Sequence, residues 1–162
     1  ACGAQDADGD GEGEHGFLGE LAGVTPLRGS NARLVPPVLH SRFGAVRDGR
    51  VEIGGYVLEM YLPSQDGGWV TEASRGAGGY EVDADAAELR WLCYAWPIER
   101  GWTGNRAFLM NQDGNILGTN MSAEIYSGRI APKAGVAGHR LIDGQCRTAF
   151  NAEDRCGNTW VG

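Results

Sequence analysis

A chain of 162 residues, 42% hydrophobic and 22% charged, is long enough for one domain with a true core. Its net charge of -7 sits at one end: residues 1–20 hold six acids and no Lys or Arg, and the remainder is nearly balanced at -1. The chain therefore lacks the basic stripe of a nucleic-acid binder, and no run of about 18 apolar residues marks a transmembrane helix.

Glycine is abundant, 27 of 162, which favours turns and short strands over long helices. The first glycine-rich stretch is "DADGDGEGEHG", residues 6–16. Calcium loops place oxygen ligands at alternate positions, and Asp6, Asp8 and Asp10 have that spacing. Gly11 falls at the sharp turn, Glu12 at the position that offers a backbone carbonyl, and Glu14 at the one that ligates directly or through water. Phe17 stands where a bidentate Glu is expected, and Glu20 comes three residues later. The cofactor this pattern points to is Ca2+, ordering residues 6–14. The competing reading is a solvated acidic segment loosened by its glycines.

Residues 15–23, "HGFLGELAG", read as a short helix with Phe17, Leu18 and Leu21 on one side and Gly23 as its stop. Residues 24–50 read as loop. "EIGGYVLEMYL" alternates, with Tyr56, Leu58, Met60 and Leu62 against Val57, Glu59 and Tyr61, and predicts a strand. Residues 63–82 form an excursion, and "DADAAEL" from Asp83 predicts one capped helical turn. "LRWLCYAWP" is apolar on both faces and predicts a central strand covered on both sides. "NRAFLMNQDGNILGTN" predicts a hairpin turning at Asp113–Gly114 with positive φ there. After Ser122 the pattern weakens into loop.

Four cysteines are present: Cys2, Cys93, Cys146 and Cys156. A Cys146–Cys156 bridge would close a small loop and contribute about 3 kcal/mol, while four cysteines leave three connectivities open. The fold class expected is α+β: a short N-terminal helix, then an antiparallel β-meander sheet, long glycine-rich loops and a disulfide-closed C-terminal loop. One domain spans residues 1–162, with 1–23 as acidic loop plus helix, 52–119 as sheet and 120–162 as a loop-rich tail.

Catalytic signals are weak. There is no G-x-S-x-G, H-E-x-x-H or P-loop. The three histidines, His15, His40 and His139, have no metal-ligand companion at i+4. The expectation is a protein that is not an enzyme. Trp69 in "DGGW" and Trp102 in "RGWTG" lie in loops, where tryptophans either contact proteins and sugars or cap the ends of a core.

Three segments carry a resemblance: "AQDADGDGEGEHGFLGELAG", "GGYVLEMYLP" and "ELRWLCYAWPIERGWTGNRAFLMNQDGNILGT". Together they resemble the globular part of type IV pilin-like (prepilin-type) proteins of planctomycetes and related bacteria. The resemblance covers somewhat under half the chain, and the third segment is its most specific part. It implies a helix packed across an antiparallel sheet, an extracellular, cell-surface or periplasmic location, and no catalytic residues. The family's long hydrophobic N-terminal helix does not fall within these 162 residues, and two expectations follow: a truncated or processed domain, or a domain reused without the anchor, which would not self-assemble by the usual pilin route. The functional expectation is an extracellular structural or assembly subunit, calcium-stabilised, working by self-assembly or with protein partners in a larger surface complex. The alternative is a secreted carbohydrate- or surface-polymer-binding module.

Overall fold

The structure is a computed structural model. It describes residues 6, 9–72, 81–136 and 156–162, together with the backbone alone of strand residues 139–142, 145–148 and 152–153. Two compact units divide the chain: residues 1–53 with 59–91, and residues 54–58 with 92–162. The α+β expectation holds in its coarse form, as an antiparallel sheet of six strands with few, short helices.

The sheet contains β1 (Arg50–Ile53), β2 (Tyr56–Pro63), β3 (Trp69–Thr71), β4 (Leu92–Pro97), β5 (Ala107–Asn111) and β6 (Ile116–Thr119). Its order is β1-β2-β4-β5-β6, with β3 pairing β2 off that path. The single strand expected in "EIGGYVLEMYL" is broken in two. Gly54 and Gly55 have φ of 60° and 84°. Two consecutive positive φ values are what a tight hairpin turn needs, and glycine supplies them without strain.

The first unit is built around helix α1 (Leu18–Leu21) and helix α2 (Ala84–Leu89). α1 is shorter than the nine residues expected, because its approach is extended: Phe17 has ψ of 167° and His15 N–H donates to the Ala87 carbonyl at 3.0 Å. Gly23 ends the helix as expected, with φ of 65° and its N–H on the Glu20 carbonyl at 2.9 Å. Asp83 caps α2, its carboxylate accepting the Ala86 N–H at 3.0 Å. Phe17, Val51, Leu62 and Ala87 are all fully buried here.

In the second unit, β4, β5 and β6 pair antiparallel in the registers Tyr94↔Leu109 and Leu109↔Leu117. That face, with Leu92 and Trp96, is buried. The core is finished by Trp160 on β10 (Thr159–Trp160), whose ring lies 5.9 Å from Tyr94 and 6.5 Å from Tyr126. Trp96 Nε1–H donates to the Gly128 carbonyl at 2.8 Å. β7 (His139–Ile142) pairs β8 (Gln145–Thr148), and β9 (Ala152–Glu153) pairs β10. The 105–120 hairpin forms as expected, but only Gly114, at φ of 73°, takes positive φ. Asp113 instead donates its N–H to Asn111 Oδ1 at 3.1 Å, an Asx turn that does not need the left-handed region.

The opposite face of this sheet differs from expectation. Cys93, Ala95 and Phe108 are half-buried, and their neighbours Met110 and Ile116 are 38% and 59% exposed. The central strand β4 is thus covered on one face and partly open on the other among the described residues. The Cys146–Cys156 expectation involves a side chain outside the described residues; Cys156 itself is half-buried.

Candidate functional site

The acidic loop folds back on itself through its first aspartate. Asp6 accepts the N–H of Gly9 at 2.6 Å and of Gly11 at 3.2 Å. Asp10 accepts the N–H of Glu12 at 2.8 Å. Gly9 and Gly11 have φ of 83° and 95°, which lets the chain curl around the carboxylates. Beyond the loop, the His15–Ala87 hydrogen bond lays the chain along α2.

That placement brings a loop acid to two helix acids. Carboxylate oxygens of Asp10, Asp85 and Glu88 lie within 4.8 Å of one another. Asp85 and Glu88 are three apart on α2, so they share one face. Asp10 and Asp85 are exposed and Glu88 half-buried. Three carboxylates are hard oxygen donors, a set suited to Ca2+ or Mg2+ rather than to thiolate- or imidazole-seeking metals.

The five acids of the expected calcium loop are distributed differently. Asp10 joins the α2 acids. Asp6 is engaged with backbone N–H groups, Glu12 is exposed, and Asp8 lies outside the described residues. Glu14 turns inward, 1% exposed, where its charge acts on Arg28 and Glu20. Glu20 is fully buried and accepts the N–H of Phe17 at 2.7 Å and of Arg28 at 2.8 Å. It turns into the interior, and the acids that lie beside Asp10 come from α2.

Glu14 and Glu20 belong to a second cluster inside the first unit. Glu72, 3% exposed just after β3, accepts the Gly19 N–H at 3.0 Å and the Thr25 hydroxyl at 3.3 Å. Arg28, also 3% exposed, lies 3.8 Å from Glu20 and donates to the His15 carbonyl at 2.7 Å. Its guanidinium sits over the Phe17 ring, 5.4 Å from the centroid. Burial lifts the Glu20 carboxyl above its ordinary range despite Arg28, and lowers Arg28 despite three acids. Burial, helped by the charge of Glu20, pushes Glu72 up to about 7.

The two candidate binding tryptophans part company. Trp102 is 87% exposed on a turn braced by Gly101 N–H to the Gly104 carbonyl at 2.9 Å. The Glu99 N–H, donated to Thr103 Oγ1 at 3.0 Å, tightens the same turn. Trp69 is half-buried on β3, opposite Pro63, which fits a residue closing the end of a core. Asp85, Glu88, Arg28 and Glu72 were not foreseen as site residues. The "DADAAEL" capping pattern did place Asp85 and Glu88 on one helix, and no spacing rule could bring them to Asp10. Among the described residues no helix is long and apolar enough to cross a membrane. Comparison with family models, with curated proteins and with solved structures finds no match for this chain.

Proposed function

We propose that this chain is a structural and assembly module whose N-terminal loop is fastened to α2 by a calcium ion. The observation that carries the reading is the approach of Asp10 to Asp85 and Glu88. A divalent cation there relieves like-charge repulsion and joins two segments distant in sequence. Asp10, Asp85 and Glu88 would hold it through carboxylate oxygens, and an ion of this class supplies cross-linking rather than chemistry. The half-exposed apolar sheet face of Phe108, Met110 and Ile116 supports a packing role. The pilin-like, extracellular reading, with a helix packed on the sheet, rests on the sequence resemblance, and self-assembly is the partnership it favours.

The test has two arms. Calcium at about 100 times its dissociation constant should stabilise the chain by about 2.7 kcal/mol over chelator, and the paired change Asp10→Asn with Glu88→Gln should abolish that difference. Unfolding that ignores calcium in the native chain refutes the metal. Electron microscopy of the purified chain reads the assembly: ordered polymers support it, and single particles with and without chelator refute it. A second reading, a glycan-binding module, rests on Trp102, whose exposed ring on a braced turn suits stacking on a sugar. It predicts quenching of tryptophan fluorescence by glycans, lost in Trp102→Ala.

A further inference from the structure

The buried acids around α1 have a charge imbalance that the proposed calcium site does not address. Glu20 and Glu72 are each at most 3% exposed, and among the described residues the similarly buried Arg28 is the cation whose charge acts on both. With Glu20, Glu72 and Arg28 all charged, these three groups would leave one net negative charge in a buried setting. Charge at that density in a low-dielectric setting is unfavourable, and one carboxyl taking up a proton is the cheapest relief.

Geometry points to which one. Glu20 has two backbone N–H donors and lies 3.8 Å from Arg28, both of which favour its ionised form. Glu72 has one backbone donor, from Gly19, and one hydroxyl neighbour, Thr25. A hydroxyl serves either protonation state: it donates to a carboxylate, or accepts the proton of a neutral carboxyl. The charges that act on Glu72 come from Glu20 on α1 and from Arg28 in the loop beyond it, while Glu14 acts on both of those.

We propose that Glu72 is a proton-operated latch joining the end of β3 to the α1 segment, firm when its carboxyl is neutral and weakened when it ionises. In the neutral state one oxygen accepts the Gly19 N–H and the other O–H donates to Thr25. In the ionised state the same two contacts persist, but a negative charge now sits beside Glu20.

The direction with pH follows. A carboxyl raised from 4.5 to about 7 stabilises the fold fully below pH 4.5, and loses that contribution as pH rises through 7. Between pH 5 and pH 8 that change corresponds to roughly a 70-fold fall in the folded-to-unfolded ratio. Glu72→Gln mimics the neutral carboxyl, with its amide oxygen for Gly19 and its NH2 for Thr25.

The experiment is urea unfolding of the native chain and of Glu72→Gln at pH 5 and pH 8, both with chelator so that metal linkage does not enter. The expected result is that the native chain loses roughly 70-fold more of its folded ratio across this interval than the variant does. Equal pH dependence in the two chains overturns the proposal. Carbon NMR of the Glu72 side chain in the native protein gives an independent reading that does not need the variant to fold: a midpoint near 7 supports the latch, and one near 4.5 overturns it.

Discussion

Replacing Arg28 by Met keeps most of the stem that fills the interior and removes the guanidinium. Three contacts go with it. The first is the charge-assisted hydrogen bond to the His15 carbonyl at 2.7 Å, of a class that contributes about 1.5–3 kcal/mol. The second is the cation over Phe17 at 5.4 Å, about 0.5–2 kcal/mol. The third is the attraction to Glu20 across 3.8 Å, which burial already opposes. Removing one partner of such a buried pair costs about 3–5 kcal/mol, because the other charge is left stranded. Two backbone N–H donors remain on Glu20 and hold the loss inside that range. The loss also depends on pH. Without the guanidinium the Glu20 carboxyl rises further, so it protonates more readily as pH falls, and the variant recovers part of its deficit at pH 5. Urea denaturation followed by circular dichroism at pH 7 and pH 5 measures both quantities. A loss under about 1 kcal/mol at pH 7, or a loss unchanged at pH 5, would refute the view that Arg28 neutralises the buried glutamates.

Two further predictions concern the second unit. Trp160→Ala removes a fully buried ring in contact with Tyr94 and Tyr126, and should cost about 3–5 kcal/mol by chemical denaturation; a loss below about 1.5 kcal/mol means that the ring is not central to this core. Gly104→Ala places a methyl against the Tyr56 hydroxyl and ring, and Tyr56 is itself held against Phe108 at 6.0 Å, so a loss of about 1–3 kcal/mol is expected. The control is Gly118→Ala, whose methyl meets the far end of the flexible Arg106 side chain and should cost less; equal losses refute the argument.

Local chemistry was legible in the sequence where it acts within a few residues. The Asp83 cap, the Gly23 stop and the strands flanking Asp113–Gly114 all follow from propensity and turn chemistry, and all three form. "GG" at 54–55 carried the same kind of signal, a hairpin turn, and was submerged in the alternation on either side of it. The acids divide along the same line. Alternate spacing drew attention to Asp10, but its neighbours Asp85 and Glu88 arrive through the fold. Glu14 looked like a loop ligand and Glu20 like a late one on the helix that follows, yet both turn inward to Arg28. A charge pattern gives the sign and density of a segment, and says nothing about which of its members finds a buried cation.

The hydrogen bond from His15 to Ala87, beside the Asp10, Asp85 and Glu88 carboxylates, joins chain positions far apart. An engineered disulfide at that point would close a loop of about 75 residues, and in the chain-entropy picture such closure removes about 4.5 kcal/mol of freedom from the unfolded chain. It would act on the disordered ensemble more than on the folded one, narrowing what the chain explores before it folds. This staple can be reinforced without altering a single residue of either core.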